Sequence, residues 1–199
     1  VPSLQRALAK KQPKLRLDDE VRFIASWLQH PLKVGAVSPS GRALARAVAS
    51  EIDPSIPGPV VELGPGTGPV TEALIERGVT PERLVLVEYD AEFCTLLRRR
   101  FPGATVVEGD AYALGETLTG IVKEPLAAVV SCLPLMTRPL NARVRLLNAA
   151  MRLLRRGAPY VQFTYAVTAP IPSRRYRVTS SPRIWLNIPP ARVWVYRAD

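Results

Sequence analysis

The chain alternates short apolar runs with longer stretches in which apolar residues recur every three or four positions. The runs predict strands and the spaced stretches predict amphipathic helices. A Pro-rich break over 53–59 leads into the first strand, Val60-Val61-Glu62-Leu63. From there the pattern predicts a helix over 70–77, a strand over 83–88, a helix over 91–101, a strand over 104–108 and a short helix from Leu114 to Ile121. A strand over 126–131, a helix from Asn141 to Leu154 and a strand over 160–166 follow, with closing strands at Arg183 to Ile188 and Val193 to Tyr196. The stretch from Ala166 to Ser181, rich in Pro, Ser and Arg, reads as a functional loop or lid.

Upstream, residues 18–30 place acidic side chains in a first helical turn and Val21, Ile24 and Leu28 on one face, with Phe23 and Trp27 on an adjoining stripe. Ser40 is placed to cap a helix over 41–52. Before Pro13, Leu4 and Leu8 alternate with Arg6, Lys10 and Lys11, which reads either as a short interfacial helix or as a frayed terminus. The whole predicts one α/β domain on a doubly wound, mostly parallel sheet with N-terminal helices. Residues 1–50 are expected to form an N-terminal helical segment and residues 51–199 the main α/β unit. A chain of 199 residues suffices for one core.

Composition adds exclusions. One histidine, His30, and two cysteines, Cys94 and Cys132, cannot make a four-ligand zinc site or a disulfide framework, and they argue against a Ser-His-Asp system. Two lone cysteines fit a reducing cytoplasm. No run approaches the roughly 20 apolar residues that cross a bilayer, and the start VPSLQRALAKKQPK has no apolar core of a signal peptide.

Charge changes the picture more. The net +10 divides into +6 over residues 1–50, −7 over 51–137 and +11 over 138–199. An acidic centre between basic flanks suits a neutral or cationic ligand in the middle and a polyanion outside, either nucleic acid or an anionic membrane.

The chemistry concentrates in Glu62-Leu63-Gly64-Pro65-Gly66-Thr67-Gly68, a strand that runs into a glycine turn and opens a helix. Its third glycine comes one residue early for a dinucleotide fingerprint, and no Gly-Lys-Ser/Thr follows for a phosphate loop. An acid before the turn suits a ligand with a positively charged amino-acid end. Glu88 ends the next strand, where a carboxylate can accept from both ribose hydroxyls. Gly109-Asp110-Ala111 ends the third, where Asp110 can accept from an adenine amino group and the Ala111 amide can meet a ring nitrogen.

These three acids at successive strand ends resemble the cofactor motifs of the class I S-adenosylmethionine-dependent methyltransferases. The resemblance implies S-adenosylmethionine as cofactor, S-adenosylhomocysteine as product, and a seven-stranded sheet that ends in an antiparallel hairpin. It implies cofactor contacts from Ser38, Pro39 and Ser40, from Glu62, Gly64, Pro65, Gly66, Thr67 and Gly68, and from Glu88 and Tyr89. Gly109, Asp110 and Ala111, then Ser131, Cys132 and Leu133, complete the set. No metal is implied. The stretch Ser131-Cys132-Leu133-Pro134-Leu135 stands where enzymes that methylate planar amines carry an Asn-Pro-Pro-Tyr type motif, but it lacks the Asn and the stacking aromatic.

The blocks VGAVSPSG, VVELGPGTGPVT, VEYDAEF, VVEGDA, VVSCLPL and WLNIPPARVWVY look like those of soluble bacterial phosphatidylethanolamine N-methyltransferases, from about Arg22 to the end. What this implies is stepwise methylation of phosphatidylethanolamine toward phosphatidylcholine, peripherally at the inner face of the cytoplasmic membrane, by way of an N-terminal amphipathic helix. Tyr165, a backbone carbonyl near Ser131, or water is the expected proton acceptor. Arg22, Lys33, Arg174, Arg175 and Arg177 are the expected lipid-phosphate contacts, with Tyr165, Tyr176 or Trp27 offering an aromatic face to a cationic product. Two other readings stand beside it: an RNA adenine methyltransferase, whose substrate would explain the charge, and a silent S-adenosylmethionine binder. Nucleic acid is the less favoured partner, and the sequence leaves the oligomeric state open.

Overall fold

The structure is a computed structural model that describes residues 39–187 and 189–198. The expected helix over 18–30, the basic segment before Pro13, Arg22, Lys33 and Ser38 lie outside the described residues, as does most of the 1–50 segment.

Apolar runs at the predicted places form the central strands. β1 (Val60–Leu63), β2 (Leu84–Glu88) and β4 (Ala128–Ser131) are buried at every position, as strands covered on both faces must be. β3 (Thr105–Glu108) is an edge strand, and β5 (Tyr160–Thr164) continues the sheet on the other side. The order is β3-β2-β1-β4-β5-β7-β6, with β6 (Arg177–Ser180) and β7 (Arg192–Arg197) closing it. The first five strands pair in parallel, whereas β7 runs antiparallel to both β5 and β6. This is the expected seven-stranded, mostly parallel α/β sheet.

The closing hairpin departs from expectation in one strand. Arg183 to Ile188 does not form the sixth strand: of these, Ile184 makes an isolated bridge to Ala191, and Arg177–Ser180 pairs with β7 instead. Pro182, Pro189 and Pro190 bracket the apolar residues and interrupt a ladder on both sides. Part of the expected lid is thus the edge strand.

Successive side chains on a strand face opposite ways, so each strand feeds two cores. Val60, Leu84, Leu86, Ala128 and Val130 pack with α1 (Pro39–Ala49), α2 (Pro69–Glu76) and α3 (Ala91–Arg100) on one face. Val61, Leu63, Val85, Val87 and Val129 pack with α4 (Leu114–Thr117) and α5 (Leu140–Leu153) on the other. α1 begins at Pro39, so Ser40 lies inside its first turn and not before it. The Pro-rich break is held by Arg83, whose guanidinium donates to the carbonyls of Pro54 (2.7 Å), Gly58 (3.0 Å) and Ile56. Among the described residues no helix is long and apolar enough to cross a membrane.

Because β1 and β4 are neighbours whose chains leave toward opposite faces, their carboxyl ends part to open a crevice. That switch in strand order is where open α/β sheets bind ligands.

Candidate functional site

The turn after β1 has the backbone its glycines permit. Gly64, Gly66 and Gly68 all take positive φ (68°, 56° and 86°), and Gly68 leads into α2 with Pro69 behind it. The Gly64 amide donates to Val87 O and the Cys132 amide to Leu63 O, both at 2.9 Å, so the turn is tied to β2 and to the end of β4. A Cβ on Gly64 would stand 2.9 Å from Leu133 Cδ2, which shows how closely the two loops approach.

Glu88 organises the second wall. One carboxylate oxygen accepts from the Gly66 amide (3.0 Å), and the other from the amides of Tyr89 (2.8 Å) and Asp90 (3.1 Å). The acid at the end of β2 therefore clamps the glycine turn of β1, and lone pairs on the same carboxylate remain for a ligand. Asp110 accepts from the Tyr112 amide at 2.8 Å and caps the short turn Ala111–Ala113.

These groups border a cleft of about 570 Å³ at the carboxyl edge of the sheet. Gly64, Glu88, Tyr89, Gly109, Asp110, Ala111 and Leu133, all expected from sequence, line it. Reasoning from sequence missed Tyr112, Pro134, Thr137 and Arg138, which also line it. The Arg138 guanidinium lies 4.9 Å from the Tyr112 ring centroid, so the two side chains stack. Their signal was their place, since Tyr112 lies in the turn after β3 and Pro134, Thr137 and Arg138 lie in the segment between β4 and α5. Pro65, Gly66 and Thr67 form the turn beneath, and the Thr67 carbonyl accepts from Arg100 at 2.6 Å. A carboxylate for ribose hydroxyls, a second for an adenine amino group and apolar walls at Val87, Ala111, Leu133 and Pro134 fit S-adenosylmethionine in size and chemistry.

Glu62 is fully buried: on β1 it shares a face with Val60, and its carboxyl points under the turn toward α2. There its carboxyl accepts from Thr71 Oγ1 (2.6 Å) and from Cys132 Sγ (3.6 Å). Burial pushes the Glu62 carboxyl up from 4.5 to about 7, against the lowering effect of those two hydrogen bonds. Between these values the native chain holds a proton that the unfolded chain has released. Stability therefore falls as pH rises through that window and levels off above it. We expect wild type to lose about 3 kcal/mol relative to Glu62→Gln between about pH 5 and about pH 8, measured by urea unfolding. A difference between the two proteins that does not change with pH would contradict this assignment.

Ser131 is fully buried and lies on the opposite face of the sheet from Glu62, toward Tyr160. Cys132 is a thiol whose Sγ donates to Glu62, and burial pushes it well above its usual range. Tyr165 follows β5 at the same edge, edge-on to Phe163 at 6.0 Å, with its hydroxyl bonded to Asn187 and its pKa raised by burial.

Arg174, Arg175, Tyr176 and Arg177 are not brought to the cleft. Arg177 pairs with Arg197 one step beyond the level of Tyr160, at the amino end of β5, so these residues occupy the opposite edge of the sheet. Tyr176 is anchored there, its hydroxyl donating to Asn148 on α5 at 2.8 Å. The cause is the antiparallel hairpin: the chain must return along the sheet before β6 can start.

Comparison with known proteins agrees with this geometry. A family model for a methyltransferase domain matches residues 60–157. An ornithine lipid N-methyltransferase of Singulisphaera acidiphila is 30% identical over 151 residues, covering 74% of this chain and 79% of the relative. A ribosomal RNA small subunit methyltransferase A of Synechococcus is 41% identical over 92 residues, but covers 45% of this chain and 29% of that protein. Among solved structures, a TehB-like S-adenosylmethionine-dependent methyltransferase of Corynebacterium glutamicum superposes with a TM-score of 0.56 at 14% identity, covering 92% of this chain and 99% of the other.

Proposed function

Since this chain belongs to the class I S-adenosylmethionine-dependent methyltransferases, we propose that it methylates the amine of a membrane aminolipid, phosphatidylethanolamine, stepwise toward phosphatidylcholine. The observation that carries this reading is the match to a lipid N-methyltransferase across three quarters of the chain. It is supported by the acceptor side of the cleft, where Leu133 and Pro134 line the wall and Leu135 is buried at 2% exposure. An exposed aromatic at that place would stack on a nucleobase, whereas an aliphatic wall leaves room for a flexible alkyl amine. A protein acting on such a lipid works peripherally at the inner face of the cytoplasmic membrane.

When bound, S-adenosylmethionine supplies a methyl group activated by a sulfonium. The chain's own residues hold and orient. Glu88 and Asp110 would hold the nucleoside, and the glycine turn would let the backbone lie against the amino-acid end. The attacking amine must be neutral and in line, which makes positioning at about 3 to 3.5 Å the main contribution. Burial raises the pKa of the Tyr165 phenol and of the Cys132 thiol. In this reading Tyr165 orients the amine and the proton leaves to solvent.

Vesicles in which phosphatidylethanolamine is the sole aminolipid are expected to take label from methyl-labelled S-adenosylmethionine, recovered as mono-, di- and trimethylated lipid. Vesicles of phosphatidylglycerol alone are expected to take none. Equal labelling of both, or of neither, would contradict the proposal.

A second reading rests on the ribosomal RNA relatives. Their match covers less than half of this chain, and the aliphatic stretch after β4 offers no stacking face to an adenine.

A further inference from the structure

The strands themselves determine which end of the molecule meets the lipid. β5 and β6 both run antiparallel to β7, so β6 ends at the same edge as β1, β2, β3, β4 and β5. The loop over 181–191 therefore emerges at the edge that carries the cleft. Its base is well held. Arg183 donates to the Tyr165 carbonyl at 3.4 Å, Ile184 bridges Ala191, and Asn187, 5% exposed, donates through its side chain to Pro189 O at 2.7 Å. Its tip is apolar and open to solvent: Trp185 is 71% exposed and Leu186 is 77% exposed. Val167, just past the end of β5 at the same edge, is 69% exposed. The Arg183 guanidinium lies 6.0 Å from the Trp185 ring centroid.

Adjacent Trp and Leu held out on an anchored loop beside an Arg are the combination that a bilayer interface favours, with the ring at headgroup level and the cation on phosphate. The loop over 181–191 itself carries one charged side chain, Arg183, and no Asp or Glu. An anionic surface is the complementary partner.

We propose that the loop between β6 and β7 docks this protein on an anionic lipid bilayer, Trp185 and Leu186 entering the interface and Arg183 meeting lipid phosphates. Docked in this way, the cleft faces the headgroups, and Arg174, Arg175 and Arg177 at the opposite edge point away from the bilayer. The inference rests on the aminolipid reading and adds to it the route by which the substrate amine reaches the site.

The test uses the full chain and vesicles of phosphatidylglycerol and phosphatidylethanolamine in equal parts. The double variant Trp185→Ser, Leu186→Ser is expected to bind these vesicles about tenfold more weakly or worse in flotation, while its affinity for S-adenosylhomocysteine stays that of wild type. In a chain with Trp27→Phe and Trp194→Phe, Trp185 emission is expected to shift blue on vesicles and to be quenched by brominated acyl chains. Unchanged vesicle binding by the double variant, or unquenched Trp185, overturns the proposal. So does a loop that binds RNA but no vesicle. Methyl transfer to phosphatidylethanolamine dispersed in detergent reads the functional proposal separately. If that transfer occurs and the double variant still binds vesicles normally, the docking surface fails and the function stands. If vesicles bind through Trp185 and no lipid is methylated, the docking stands and the function fails.

Discussion

Glu88→Ala is expected to weaken binding of S-adenosylhomocysteine by about a hundredfold to a thousandfold, measured by calorimetry. The carboxylate is 8% exposed and already accepts from three backbone amides, those of Gly66, Tyr89 and Asp90. In the proposed placement, removing it takes away an acceptor for a ribose hydroxyl and releases the turn that the ligand must lie against. A hydrogen bond to a charged group contributes about 1.5 to 3 kcal/mol, and the released turn accounts for the rest. Glu88→Gln should fall between, because its amide carbonyl still accepts while its NH₂ group meets backbone donors. Affinity unchanged in Glu88→Ala, with circular dichroism showing an intact fold, would contradict the placement of the nucleoside.

Gly68→Ala is expected to lose up to about 5 kcal/mol of folding stability. Gly68 has φ of 86°, and a Cβ there would overlap the Phe101 ring, with Cζ at 2.9 Å and Leu97 Cδ2 at 3.3 Å. Phe101 is 6% exposed and packed in the core that joins α2 and α3, so the ring has nowhere to retreat. The left-handed backbone costs about 1 to 2 kcal/mol and the overpacking about 1 to 3 more. Gly66→Ala is the control. Its φ is 56° and a Cβ meets nothing within 4 Å, so only the backbone cost of about 1 kcal/mol applies. Urea unfolding measures both, and equal losses would contradict the packing described at the end of the turn.

The parallel half of the sheet was legible because every strand there is a buried run. Val60–Leu63, Leu84–Glu88 and Ala128–Ser131 admit water on neither face, so their composition alone marks them. The closing hairpin was not. Arg177–Ser180 is an edge strand with three of its four residues exposed, and pairing on one side alone leaves little hydrophobic signature. The apolar residues that drew the strand to Arg183–Ile188 belong to a loop whose prolines break the ladder, and Trp185 and Leu186 point to solvent there.

The site shows the same division. Glu88 and Asp110 were readable as strand-end acids, and both border the cleft. Glu62 is fully buried, and the alternation Val60, Glu62 against Val61, Leu63 puts it on the α2 face of the sheet, where it accepts from Thr71. The arginines from Arg174 to Arg177 were assigned by charge, which carries no information about the edge of a sheet on which a residue emerges. Only the register of β6 against β7 supplies that.

The measurement that tests the central claim most directly is a competition in one vessel. Anionic vesicles containing phosphatidylethanolamine and unmethylated small-subunit ribosomal RNA are incubated together with the protein and methyl-labelled S-adenosylmethionine, and the lipid and RNA fractions are then separated. The account predicts label in methylated phosphatidylethanolamine and none above background in RNA. Label confined to RNA, or a protein that binds the cofactor and labels neither, would contradict it.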